Sequence, residues 1–164
     1  MKTMVIPSAN TSPMTLHRDR PLFIFDGVCV LCSTGVAWLM RRNRAGRIQF
    51  LSAQSDLGQA IYRHLGMELG DSYVLIDSAG THTRTDGFFR VADALGGAWK
   101  LGKVFRLIPR PIRDFFYDRL ANNRYRLFGT SDHCALLSPA ARSRLVTEDP
   151  ALRALLAQDR AAHR

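Results

Sequence analysis

The stretch LFIFDGVCVLC, Leu22 to Cys32, limits the fold of this chain more than any other part of it. Leu22 to Phe25 is a short uninterrupted apolar run with no polar alternation, the pattern of a strand covered on both faces. Asp26-Gly27 breaks the run with turn chemistry. Beyond it Cys32, Val36, Leu39 and Met40 recur at i, i+4, i+7 and i+8, one face of a helix. Arg41, Arg42 and Arg44 crowd the end of that helix, where cations favour its dipole. Strand, tight turn and helix therefore follow one another here.

The same reasoning extends the pattern. IQFLSA (48–53) reads as a second strand and SDLGQAIYRHLG (55–66) as a helix with Asp56 near its start and Gly66 as its stop. SYVLID (72–77) reads as a third strand, and THTRT (81–85) as a polar edge strand beyond a turn. Thr85 or Asp86 then caps a helix whose Phe88, Val91, Ala92 and Leu95 share a face, ended by Gly96-Gly97. Residues 99–108 and 112–125 read as amphipathic helices separated by PRP, and Ser138-Pro139 and Asp149-Pro150 as starts of short helices. The expected architecture is α/β, a βαβαββα core with a helical C-terminal extension.

With 164 residues, 46% of them hydrophobic and 23% charged, one domain with a real core is expected. Residues 1–20 lack periodicity and read as a flexible N-terminal arm, residues 21–134 as the domain, and residues 135–164 as the helical extension. No apolar run is long enough to cross a bilayer, and the first residues are too polar for a signal-peptide core, so a cytoplasmic protein is expected. The formal net charge of +9, carried mostly by Arg, suits an anionic partner.

Three cysteines make no paired framework, and a close pair in a reducing compartment is more often catalytic or metal-binding than structural. Cys29 and Cys32, three apart in a first helical turn, are close enough to form a disulfide with little backbone movement. The amide dipoles of that turn favour a thiolate at Cys29. Cys29 is thus the candidate nucleophile and Cys32 the resolving thiol. Asp26, at the end of the first strand, is the candidate proton acceptor for Cys32; its alternative role is to shape the turn or cap the helix. A C-x-x-C beside a βαβ pattern reads as a thioredoxin-like redox motif, with small core residues as the plainer alternative.

FDGVCVLC, with Asp26, Cys29 and Cys32 in Asp-x-x-Cys-x-x-Cys spacing, resembles the DCC family of predicted thiol-disulfide oxidoreductases. The likeness continues through IQFLSAQS (48–55), GFFRVADALGG (87–97) and NNRYRLFG (122–129), and covers roughly residues 21–134. It implies a thioredoxin-like fold, a disulfide-containing protein or small thiol as partner, no bound cofactor, and Cys29 and Cys32 as the redox pair with Asp26 as third motif residue. Members of the wider superfamily carry a cis-proline before the strand facing the cysteines; GMELGDSYV (66–74) has no proline.

Other readings use the same residues. Cys29, Cys32 and Cys134 with Asp26 or His133 have the donor number for zinc, and two thiolates suit Cu(I), although no second C-x-x-C and no His pair at ligand spacing support a metal module. GAWKLGKV (97–104) nearly spells a phosphate-binding loop but has Val104 where the magnesium-holding hydroxyl belongs. Between Trp99 and Arg126, eight Lys and Arg residues face only Asp114 and Asp118, with aromatics between them. Peripheral membrane contact fits that pattern, but the plainer expectation is aromatics in the core and a solvated Arg face. No nucleic-acid module is recognisable.

Overall fold

The computed structural model describes residues 4–8, 11–16, 20–131 and 137–146. In chain order the elements are β1 (Met4–Ser8), β2 (Thr11–Leu16), β3 (Leu22–Phe25), α1 (Val30–Arg42), β4 (Gln49–Ser52), α2 (Asp56–His64), β5 (Val74–Asp77), β6 (Gly80–Thr83), α3 (Arg84–Leu95), a 3-10 helix (Gly97–Leu107), α4 (Arg110–Phe128) and α5 (Pro139–Arg142). Strands β4, β3, β5 and β6 form one sheet in that order. β3 runs parallel to β4, while β5 is antiparallel to both β3 and β6. This is the α/β, thioredoxin-like arrangement expected from the sequence.

The uninterrupted LFIF run is explained by what lies on each side of it. Successive side chains of a strand point to opposite faces. Leu22 and Ile24 join Leu51, Leu57, Ile61 and Val74 on the α2 side of the sheet. Phe23 and Phe25 join Phe50, Leu75, Val36 and Met40 of α1 and Val91 of α3 on the other side. All four β3 residues are buried, so alternation is lost because both layers are apolar. The helix-strand crossover also requires close approach at Gly58, where an added Cβ would lie 2.8 Å from Ala53 Cα and press on Ser52 O.

Several elements depart from expectation. Residues 4–8 and 11–16 pair as an antiparallel hairpin, a separate two-stranded sheet, where a loose arm is expected. β-branched residues such as Val5, Ile6 and Thr15 favour extended backbone without any apolar period. The register slips between Ile6 and Ser8, around Pro7, which has no N–H to donate. In α3 it is Phe89 that is buried, while Phe88 is exposed. Within the expected helical extension, the described residues carry one helical turn, α5, and Leu137 and Val146 on its two sides enter the core. Val146 N–H donates to Phe50 O, so this segment covers the β4 edge. The Asp149-Pro150 start lies outside the described residues.

The expectation that the aromatics of residues 99–126 are core holds in part: Trp99 packs against Trp38 and Tyr117 against Tyr73, but the phenylalanines do not follow. Phe105, Phe115 and Phe116 are exposed, and the buried residues of α4 are Ala121 and Arg124. The reason is that α4 is anchored by polar groups. Tyr117 shares a hydrogen bond with Ser72 Oγ at 2.8 Å, Asp114 accepts from Thr85 and pairs with Arg110, and Arg84 pairs with Asp118 at 3.1 Å. Its inward face is therefore Asp114, Tyr117, Ala121 and Arg124, and its apolar residues are left outside.

Replacing Gly58 with Ala forces a side chain into backbone that cannot retreat. Gly58→Ala is expected to cost about 1–3 kcal/mol, seen as a lower urea midpoint with an unchanged slope.

Candidate active site

The turn after β3 delivers both cysteines to one end of α1. Cys29 is the N-cap residue, extended at φ −78° and ψ 121°, and its sulfur accepts the Cys32 backbone N–H at 3.4 Å. Sulfur thus occupies the place usually held by a Ser or Asp oxygen, facing the unpaired amides at the positive end of the helix. Both cysteines are free thiols. Burial first, then a hydrogen bond to the Cys29 sulfur and the negative charge there, push the Cys32 thiol far above the ordinary thiol range, with Arg124 opposing. Cys32 keeps its proton and donates it toward Cys29.

The two thiols differ in access. Cys32 is partly exposed and lines a cavity of about 140 Å³ with Asp26, Leu31, Tyr73, Tyr117, Leu120 and Arg124. Tyr73 sits just before β5, in the stretch without proline. Cys29 is 0% exposed. The main chain on both sides of it is paired: Cys29 faces Thr130 in an antiparallel bridge, Val30 N–H donates to Gly129 O, and Ser131 N–H donates to Val28 O at 2.9 Å. This short strap follows α4 through Gly129, whose φ of 77° and ψ of 180° suit glycine almost exclusively.

Asp26 is buried and holds four donors. Oδ1 accepts from Val28 N–H at 3.1 Å and Gln54 Nε2 at 2.7 Å. Oδ2 accepts from the Tyr125 hydroxyl and pairs with Arg124 at 3.4 Å. The Val28 bond is the turn-shaping role read from the sequence; the helix cap itself is Cys29. Gln54 is oriented in turn because its Oε1 accepts from Gly27 N–H at 2.7 Å and Ser52 Oγ at 3.0 Å. Burial, then the bond to Asp26, raises the Tyr125 phenol to about 12, so it stays a donor at neutral pH. Arg124 also donates to the carbonyls of Ala121 and Gly70.

Asp26 and Cys32 line one cavity and Cys29 caps the helix that carries Cys32, while Cys134 and His133 lie outside the described residues. Sequence reasoning missed Gln54, Arg124 and Tyr125. Val30 and Leu31, between the cysteines, bring no cation to the helix end. Arg124, nearly a hundred residues away in sequence, supplies that cation. The available signal was period: Asp114, Tyr117, Ala121 and Arg124 fall on one helix face. Among the described residues no group of three or more His, Cys, Asp and Glu side chains is placed to hold a metal.

The family model of DCC1-like thiol-disulfide oxidoreductases matches residues 23–130, a span that includes every residue of this cluster. The chain belongs to that family. It is 35% identical over 127 residues to the uncharacterized protein YuxK of Bacillus subtilis, covering 76% of this chain and 93% of YuxK. It is 32% identical over 129 residues to a chloroplastic DCC family protein of Arabidopsis thaliana, covering 77% of this chain and 75% of that protein. No solved structure gives a significant match.

In this DCC-family site the Asp26–Arg124 pair is buried, with both side chains under a tenth exposed. Arg124→Met strands a buried carboxylate and is expected to cost about 3–5 kcal/mol. Adding Asp26→Asn should recover part of that loss in urea unfolding. A loss below about 1 kcal/mol for Arg124→Met would mean that the pair behaves as a surface contact.

Proposed function

We propose that this protein exchanges a dithiol for a disulfide with a disulfide-containing protein or a small thiol partner, with Cys29 as nucleophile, Cys32 as resolving thiol and Asp26 as acceptor of the Cys32 proton. The observation that carries the reading is the Cys29 sulfur held as the cap of α1 by the Cys32 N–H at 3.4 Å. Family membership supports the reaction class. A reducing compartment such as the cytoplasm suits free thiols, and among the described residues no helix is long and apolar enough to cross a membrane.

The Cys29 thiolate attacks one sulfur of the partner disulfide, forms a mixed disulfide and releases the other partner sulfur as thiolate. That step removes the negative charge at Cys29, which had helped to keep Cys32 protonated. Cys32 then loses its proton toward Asp26 through the shared cavity, which has room for a few waters. The Cys32 thiolate attacks Cys29, closes the Cys29–Cys32 disulfide and releases the second partner thiolate. Two electrons pass to the partner, so no bound cofactor is needed. Entry to Cys29 requires the Gly129–Ser131 strap to part.

Incubation with glutathione disulfide tests the order of attack. Cys32→Ser should accumulate a mixed disulfide on Cys29 by mass, and Cys29→Ser should not form one on Cys32 at a comparable rate. Equal accumulation on the two single variants would remove this order of attack from the mechanism.

The strap makes a second prediction. Gly129→Ala places a side chain in a glycine-only backbone region at a cost of about 1–3 kcal/mol, without a clash, since nothing lies within 4 Å of the added Cβ. Cys29 alkylation should quicken several-fold while the urea midpoint falls only modestly. An unchanged alkylation rate would show that the strap does not control access.

A further inference from the structure

Large apolar side chains stand on the outer face of α4. Ile112, Phe116, Leu120 and Leu127 share one flank of the helix, and Phe116 is 68% exposed. The preceding 3-10 helix repeats the pattern. Leu101, Val104 and Leu107 recur every third residue, the spacing that stacks side chains on one 3-10 face, and Leu101 and Leu107 are 77% and 83% exposed. Water contact at this many large side chains marks a surface that meets something else.

Charge indicates what that is. The α4 carboxylates are occupied, Asp114 by Thr85 and Arg110 and Asp118 by Arg84. Arg119 and Arg126 are exposed and have no carboxylate partner among the described residues. They line a shallow groove with Phe116, Leu120, Asn123 and Leu127, which interleaves cations with the apolar stripe. The whole chain carries +9. α4, with 19 residues, is about 28 Å long at 1.5 Å per residue. No described helix has the composition to cross a bilayer, so α4 can lie along one.

We propose that the outer face of α4 docks on an anionic lipid bilayer, with its aliphatic and phenyl side chains at the acyl boundary and Arg119 and Arg126 on lipid phosphates. The apolar side chains stand among cations that have no carboxylate partner in the described residues, a combination that matches the acyl boundary and phosphates of an anionic bilayer. Leu120 lines both this groove and the cavity that holds Cys32, so docking brings the thiol site beside the membrane surface. The proposal does not depend on the thiol chemistry.

The test is flotation of the full chain with phosphatidylcholine vesicles carrying about one third phosphatidylglycerol, against pure phosphatidylcholine vesicles. The expected result is binding to the anionic vesicles only, weakened by salt. Phe116→Ser with Leu127→Ser, and separately Arg119→Gln with Arg126→Gln, should each lower it by about tenfold or more. These positions are exposed, so the urea midpoint should stay near that of the wild type, and Cys29→Ser should bind as well as the wild type. Absence of wild-type binding, or binding that survives the apolar pair of substitutions, would overturn the proposal. Sedimentation that shows a dimer broken by the same substitutions, or retention by an acidic peptide matrix, in either case without vesicle binding, would also overturn it and assign the face to a second copy or an acidic protein.

Discussion

A carboxylate taken out of water at the end of the central strand is the constraint from which the rest of this site follows. Asp26 cannot remain charged in the interior without donors, and it collects them from its own turn, from Gln54 beyond β4 and from two consecutive residues of α4. The last of these ties a distant helix to the cysteine turn. Because Arg124 and Tyr125 are fixed there, the chain leaving α4 is aimed back across α1, and Gly129 to Ser131 pair with Val28 to Val30. The buried ion pair thus governs both the field around the sulfurs and the cover over one of them.

Charge and access are divided between the two thiols. Cys29 has the helix amides and the Cys32 proton directed at it, yet it is fully buried. Cys32 opens on a cavity but holds its proton while Cys29 is negative. Such a division suits the proposed two-step exchange, in which Cys32 gives up its proton only after Cys29 has reacted.

α4 shows that the side a helix turns inward need not be apolar. Apolar and charged residues are mixed around it, so period alone marks no inward side. Here tyrosine, aspartate and arginine make the internal contacts because they meet matching partners in Ser72, Thr85 and Asp26. Its large apolar side chains are left outside, beside cations without internal partners. A face that conflicts with simple burial in this way is where interaction with another phase is to be sought.

Local chemistry made much of the fold legible in the sequence. The doubly covered strand β3, the Asp-Gly turn and the placement of Cys29 and Cys32 at the start of α1 follow from side-chain period and turn propensity, which act over a few residues. The α/β order from β3 to α3 follows in the same way. The N-terminal hairpin was missed because strand pairing there rests on backbone hydrogen bonds rather than on apolar alternation. What only the tertiary structure decided is the identity of the groups around Asp26 and the burial of Cys29. Those contacts join residues nearly a hundred positions apart, and no local propensity encodes which arginine will lose its water to meet a buried carboxylate.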